Sequence, residues 1–124
     1  MLLIRNEDAA KSRLPNDEHL VFIKKCEIYI EKLKTSNKLI AAQPLEKEGV
    51  IVLKKSGHWE EKKLNQDIEI QVGYYHIYAD NLEEAVSIAK DNPEFEYVAS
   101  ATIEVRPVKT KETETAYVYP KHKH

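Results

Sequence analysis

The chain has 124 residues, of which 42% are hydrophobic and 32% are charged, and its 19 basic and 21 acidic residues give a formal net charge of -2. This size and composition are typical of one folded domain and argue against an intrinsically disordered chain. The balanced charge also argues against nucleic acid or an anionic membrane surface as a partner, because both are bound through an excess of Lys and Arg.

The sequence indicates no membrane anchor, cofactor or metal site. No run approaches the roughly 18 apolar residues that a bilayer-spanning helix needs, and Met1 to Ile4 is too short for a signal peptide. The single cysteine, Cys26, excludes an internal disulfide and a cysteine-based metal site. With only three glycines there is no glycine-rich phosphate loop. We therefore expect a cytoplasmic protein without a cofactor.

The first half of the chain predicts a strand, a loop and a long helix. Met1 to Ile4 is typical of a buried strand, and Arg5 to Arg13 of a polar loop. Pro15 to Glu18 indicates a helix start with Asn16 as the cap, and the helix is expected to run to about Ser36. Asn37 is expected to end the helix in the left-handed conformation. The apolar stripe expected at the 3.6-residue period comprises Phe22, Ile23, Cys26, Ile30 and Leu33, with Val21 and Ile28 on the opposite side.

The middle of the chain predicts an extended segment and a hairpin. Leu39 to Ala42 resumes extended structure, and Val50 to Leu53 is a short apolar strand. Ser56-Gly57 is a turn signal, so His58 to about Lys63 is expected to return as the second arm. The dense charge of this arm indicates an exposed edge.

The second half predicts a strand, a helix and a final strand. Gly73 to Ala79 is the clearest strand, and Asp80 begins a helix with Glu83 as its capping-box partner. Pro93 ends that helix, and Ala101 to Val108 is the last strand, with Ala101, Ile103 and Val105 on one face. Residues 1–109 form the expected domain and residues 110–124 a tail, in which Ala116 to Tyr119 either adds a short strand or lies on a partner.

The order of these elements predicts an α+β, ferredoxin-like fold, an antiparallel sheet with both helices on one face. The other face must then meet water, a ligand or another subunit. Tyr74, His76 and Tyr78 share this face, and three contiguous rings are costly to leave in water. We therefore expect a homodimer that packs face to face and encloses a cleft.

Three segments resemble the YCII-related family, in particular its DGPF branch, within the dimeric α/β-barrel superfamily. They are Met1-Leu2-Leu3-Ile4; the Gly73 to Tyr78 strand with the Leu82-Glu83-Glu84-Ala85 helix; and the ending Ile103-Glu104-Val105-Arg106-Pro107-Val108. The resemblance spans roughly Met1 to Lys109. It implies a dimeric α/β barrel, a fold that also serves small isomerases and monooxygenases working in a cleft between subunits.

The Asp-Gly-Pro-Phe motif that names the branch is replaced here by Glu61-Lys62-Lys63-Leu64. The YCII-like branch carries a histidine early in its first helix as part of an acid-base site, and His19 is the matching residue. Most members of the family have no assigned reaction, so the resemblance implies a fold and a dimer more than an activity.

His19 is the first catalytic candidate. It lies in the first turn of the helix, where the helix dipole favours a neutral imidazole that could act as a general base. Asp91, at the end of the second helix, is the candidate partner carboxylate. The alternative is a hydrogen-bonded core histidine without a chemical role.

The second candidate site is a polar pocket in the cleft, where Arg106 holds an anionic or carbonyl ligand and His76 or Glu104 moves protons. The alternative is a dimer interface of aromatic packing and an Arg-Glu pair. The preferred function is thus a dimeric ligand-binding or accessory module. The alternative is a cofactor-free isomerase or lyase with a histidine base. A third reading, base stacking on the strand aromatics, is opposed by the acidic balance. The ligand-binding residues predicted for this site are Tyr74, His76, Tyr78, Glu104 and Arg106.

Overall fold

The computed structural model describes residues 1–7, 15–46, 48–64 and 69–120. Six strands and three helices follow one another along this part of the chain. They are β1 (Leu2–Glu7), α1 (Asn16–Thr35), β2 (Leu39–Pro44), β3 (Val50–Lys55), β4 (His58–Lys63), β5 (Glu69–Ile77), α2 (Leu82–Lys90), α3 (Glu94–Tyr97) and β6 (Thr102–Val105).

Four strands form the main sheet in the order β2-β5-β1-β6, and β3 and β4 form a separate two-stranded sheet. Every described pair of neighbours is antiparallel. With α1 between β1 and β2 and α2 between β5 and β6, this topology is compatible with a ferredoxin-like fold into which a hairpin is inserted. The predicted α+β class is confirmed.

The hydrophobic core lies between the sheet and its two longer helices. Leu2 and Tyr75 from the sheet pack with Tyr29 and Leu33 of α1 and Ala89 of α2. The Tyr29 and Tyr75 rings meet edge to face, with centroids 5.4 Å apart, an arrangement that aromatic pairs favour. Both helices therefore cover the same face of the sheet, as predicted.

None of the helices in the described ranges covers the opposite face of the sheet. Leu3 of β1 is paired with Tyr74 of β5 on one side and with Glu104 of β6 on the other, so these side chains share this face. Leu3 and Tyr74 are half-buried and Glu104 is exposed. We call this surface the open face.

Helix α1 differs from the prediction at its start and agrees with it at its end. The predicted Asn16 cap is wrong, because Pro15 occupies the N-cap position, and no side chain in the described ranges caps the helix. Asn37 is left-handed, with φ 59°. The N–H of Lys38 donates to the Leu33 carbonyl at 2.9 Å, which completes the expected C-terminal stop.

The buried stripe of α1 is rotated slightly from the predicted one. Phe22, Tyr29 and Leu33 are buried, whereas the predicted Ile23 is exposed. The hydroxyl of Tyr29 donates to the Ile88 carbonyl at 2.6 Å, so this residue buries its ring without losing a hydrogen bond. Val21 and Ile28 lie on the exposed side, as expected.

Helix α2 begins one residue later than the capping box predicts. Asn81 is the N-cap, and its side chain accepts from the N–H of Glu84 at 2.8 Å, so the predicted Asp80 and Glu83 pairing is wrong. The chain then forms a further helical turn, α3, after Pro93. Asn92 stabilises this turn by accepting from the N–H of Glu94 at 2.9 Å.

The strands also differ from their predicted limits. β1 continues to Glu7, so the loop predicted from Arg5 was placed too early, and its remainder lies outside the described residues. β5 begins at Glu69, so Gly73 lies inside the strand and does not open it. A glycine suits this position because a Cβ there would approach the Gln43 carbonyl oxygen to 3.0 Å. β6 ends at Val105, three residues before the predicted end. The hairpin between β3 and β4 is confirmed.

Candidate functional site

A pocket of about 490 Å³ lies at the end of the main sheet where β5 and β6 finish. This volume is in the range of small-molecule sites, which are commonly some 300–1,000 Å³. Apolar groups form most of its wall, among them Met1, Ile40, Ile77, Leu82, Ala85 and Val105. The polar and charged side chains in the wall come from the ends of β5 and β6 and from the segment that follows β6.

The inner wall of the pocket is set by the turn from β5 into α2. The N–H of Tyr78 donates to the Lys38 carbonyl at 2.8 Å, which extends the pairing of β5 with the start of β2. The Asn81 cap then starts α2 and presents Leu82 and Ala85 to the pocket. An ion pair of 2.5 Å between Lys38, which precedes β2, and Glu84 joins the start of β2 to α2. The hydrogen bond to Glu84 raises the pKa of Lys38.

The outer wall begins where β6 ends. The amino group of Met1 donates to the Arg106 carbonyl at 2.8 Å, and the N–H of Arg106 donates to the Met1 carbonyl at 3.0 Å. These bonds continue the β1-β6 pairing by one residue. Burial lowers the pKa of the Met1 amino group. The backbone of Arg106 is therefore fixed beside the pocket.

The rest of the outer wall is a loop formed by residues 109–120, which we call the C-terminal loop. The N–H of Tyr119 donates to the Thr110 carbonyl at 2.8 Å, and the N–H of Glu112 donates to the Tyr117 carbonyl at 2.8 Å. The Tyr119 hydroxyl also donates to the Glu112 carboxylate, whose other partner is Lys109 at 2.8 Å. The hydrogen bonds from Lys109 and Tyr119 lower the pKa of Glu112, and the bond to Glu112 raises the pKa of Tyr119.

The C-terminal loop is thus held together by its own bonds, and it contributes Tyr119 and Pro120 to the pocket. The prediction that Ala116 to Tyr119 adds a short strand is partly right. Lys111 and Val118 form an isolated antiparallel bridge within the loop and do not join the main sheet.

The charged groups of the pocket wall are cationic. Arg106 and Lys109 both line the pocket. The Nε of Arg106 lies 4.0 Å from a Glu104 carboxylate oxygen, and both side chains are largely exposed. Such an exposed pair is weak. The Arg106 guanidinium therefore retains donors that can bind an anionic group in the pocket.

Three of the predicted ligand-binding residues lie together in the pocket wall, namely His76, Tyr78 and Arg106. Tyr74 and Glu104 lie on the open face, on either side of Leu3, and do not line the pocket. The structure thus divides the predicted set between two neighbouring surfaces. Sequence reasoning missed Leu82, Ala85 and Tyr119 as site residues. Leu82 and Ala85 are apolar positions of the predicted second helix, and Tyr119 lies in the predicted tail.

Neither His19 nor Asp91 lines this pocket, and the two residues lie apart from each other. His19 is exposed in the first turn of α1, with its ring centroid 6.5 Å from that of Phe22. Asp91 is the C-cap residue of α2, and its charge acts on Tyr29, whose pKa is raised mainly by burial. Since Tyr29 is ten residues beyond His19, it lies about 15 Å further along the helix axis. No hydrogen bond or ion pair joins His19 to Asp91, both of which are described. Their proposed role remains a prediction.

A second polar centre is buried beneath α3. The amide nitrogen of Asn6 donates to a Glu94 carboxylate oxygen at 2.5 Å, and Asn6, Asn92 and Glu94 are all buried. Among the residues that the structure describes, the Asn6 amide oxygen and the Asn92 amide nitrogen have no hydrogen bond of good geometry, although the Tyr75 hydroxyl interacts with the Asn92 side chain. This centre joins the end of β1 to α3.

Within the described ranges, no group of three or more His, Cys, Asp and Glu side chains is arranged to hold a metal ion. In the same part of the chain, no helix combines the length and the apolar character needed to cross a bilayer.

No protein-family model matches the chain, and no curated protein matches it. The resemblance to the YCII-related family stays a prediction from the three segments that carry it.

Proposed function

We propose that this chain is a small-molecule-binding module that works as a homodimer of the α/β-barrel type. The observation that carries the proposal is the pocket of about 490 Å³ whose apolar wall is bordered by Arg106 and Lys109. Such a pocket suits a molecule with an apolar body and an anionic end. Removal of the apolar body from water is favourable, and the Arg106 guanidinium can bind the anionic end.

The open face supports the dimer. It carries Leu3 and Tyr74, which are half-buried, and Arg5 further along β1. A sheet of this kind commonly has its second face either solvated or covered by another layer. An aromatic and an aliphatic side chain at its centre favour a second copy as that layer.

Binding is tested with two fluorescent probes of similar shape, anionic anilinonaphthalene sulfonate and neutral N-phenylnaphthylamine. We expect both probes to bind and Arg106→Gln to weaken only the anionic one, by about fivefold, because an exposed ion pair contributes up to about 1 kcal/mol. Lys34→Gln, which removes a cation from the exposed side of α1, is the matched control.

Ala85→Trp fills the pocket and should abolish the binding of both probes. If neither probe binds the wild-type chain, or if Ala85→Trp binds them as the wild type does, the pocket is not a ligand site. An equal response of the anionic probe to Arg106→Gln and Lys34→Gln would remove the proposed role of Arg106.

The dimer has a separate test. Tyr74→Glu places a charge at the centre of the open face and should halve the particle mass found by analytical ultracentrifugation at micromolar concentration. Ile28→Glu, on the exposed side of α1, should leave the mass unchanged. A wild-type particle of 14.4 kDa would contradict the proposal.

A second candidate function is a cofactor-free isomerase or lyase that uses His76 as its base. His76 lines the pocket together with Tyr78 and Arg106 whereas His19 does not, which favours His76 over His19 for this role. On this hypothesis His76→Ala keeps the fold and the particle mass and loses ligand turnover. On the binding hypothesis no turnover exists to be lost.

A further inference from the structure

The hairpin of β3 and β4 exposes apolar side chains on both of its faces. Val50, Ile51 and Val52 expose 54%, 51% and 58% of their surface, and Trp59 exposes 72%. A two-stranded hairpin with neither face covered is only marginally stable in water. Further strands that pair with β3 would therefore stabilise the hairpin, because a larger sheet is more stable than two strands alone.

The two edges of the hairpin are built differently. β4 carries four consecutive charged residues, Glu60 to Lys63, which is how natural proteins protect an exposed edge. β3 carries the apolar sequence Val50 to Leu53 and no charge before Lys54. A β-branched apolar strand of this type is typical of a sheet interior. The sequence thus marks β4 as an outer strand and β3 as an inner one.

The backbone of β3 presents hydrogen-bonding groups on its free side. The N–H of Leu64 donates to the Gly49 carbonyl at 3.4 Å, so Gly49 and each second residue after it turn toward β4. The intervening residues, Val50, Val52 and Lys54, turn their N–H and C=O groups to the other side. No strand in the described ranges pairs there.

We infer that the free edge of β3 is a self-association site, at which β3 pairs in antiparallel fashion with β3 of a second copy. A two-fold axis at Val52 places Val52 opposite its own copy, Ile51 opposite Leu53 and Val50 opposite Lys54. No like charges face each other in this register. The four strands then form one continuous sheet, β4-β3-β3-β4, with the apolar strands inside and the charged strands outside.

The second copy is the occupant that these observations favour. An isologous pairing needs a strand that is complementary to itself, and this register meets that requirement. Strand addition of this kind derives its affinity from main-chain hydrogen bonds and its specificity from the alternating side chains. The interface is distinct from the open face, so with both in place two open-face dimers join through β3 into a tetramer. Each interface is removed by its own variant, and the failure of one leaves the other standing.

The first experiment compares two proline variants on one rung of the hairpin. Val52 and Glu61 are directly opposite each other, and both turn their N–H groups away from the hairpin interior. Because neither N–H takes part in the pairing of β3 with β4, a proline at Val52 and a proline at Glu61 should cost the hairpin a similar amount of stability. We expect Val52→Pro to halve the particle mass in analytical ultracentrifugation and Glu61→Pro to leave it at the wild-type value. An unchanged mass for Val52→Pro would overturn the inference.

The second experiment needs no substitution and uses hydrogen exchange of the wild-type chain. Paired edges protect their amides, so the outward N–H of Val52 should exchange at least about tenfold more slowly than that of Glu61, and dilution should reduce the difference. Equal exchange at the two positions would contradict the pairing even if a proline variant failed to fold.

Discussion

Tyr29 connects the two longer helices, and its replacement gives the most detailed prediction for the fold. Its ring is buried against Tyr75 with centroids 5.4 Å apart, and its hydroxyl donates to the Ile88 carbonyl at 2.6 Å near the end of α2. The two parts of the side chain can be removed separately. Tyr29→Phe deletes the hydroxyl alone, and Tyr29→Ala deletes the ring as well.

The expected costs follow from these contacts. A neutral hydrogen bond contributes about 1 kcal/mol. The Ile88 carbonyl also accepts from the N–H of Asp91 at 3.2 Å, so Tyr29→Phe does not leave it without a partner, and the loss should be about 1 kcal/mol. Tyr29→Ala leaves a cavity in the core, which costs about 3–5 kcal/mol for an aromatic side chain.

The assay is urea denaturation followed by circular dichroism, with the free energy of unfolding as the measured quantity. Ile28→Ala is the control, because Ile28 is adjacent in sequence but 67% exposed, and we expect a change within about 0.5 kcal/mol. If Tyr29→Ala costs no more than Ile28→Ala, α1 does not pack on the sheet through Tyr29 and the core described above is wrong.

Three further predictions concern the pH dependence, a helix cap and the C-terminal loop. Burial raises the pKa of Tyr29 and Tyr75 above the ordinary 10.0, so the folded chain keeps protons that the unfolded chain loses. The contribution of these two groups to the free energy of unfolding should therefore be constant below pH 10 and fall as the pH rises further. If the free energy of unfolding stays constant above pH 10 and both tyrosines ionise in the folded chain at their ordinary pKa, as followed by tyrosinate absorbance, their burial is refuted. Asn81→Ala should lower the free energy of unfolding by about 1 kcal/mol, because it removes the α2 cap, whereas Asp80→Ala should have little effect. Deletion of residues 110–124 should weaken anilinonaphthalene sulfonate binding without changing the urea midpoint, because Tyr119 and Pro120 line the pocket; unchanged binding would show that this wall is dispensable.

Local features of the fold were predictable because their causes are local. Ser56 and Gly57 are both left-handed, with φ values of 49° and 80°, which is the turn that a two-residue hairpin requires. Asn37 ends α1 for a similar reason, since asparagine tolerates the left-handed conformation. In these cases the residue type itself carries the information.

Features that depend on distant parts of the chain were missed. Which residues of α1 are buried is decided by the rotation of the helix on the sheet. Tyr29 is buried there against Tyr75, and its hydroxyl reaches the Ile88 carbonyl. The pocket joins Met1, the end of β5 and residues 105–120, and no sequence spacing relates these segments. The sequence could therefore indicate His76, Tyr78 and Arg106 as site residues but not the apolar wall around them.

The most direct test of the proposed binding site is a titration of isotope-labelled chain with anilinonaphthalene sulfonate, followed by the backbone amide shifts in NMR spectra. The account predicts saturable shifts at Ile77 to Ala79, Leu82 and Arg106, with little change along α1 and in the β3-β4 hairpin. Shifts that are largest on α1 or in the hairpin, or that are spread over the whole chain without saturation, would contradict it.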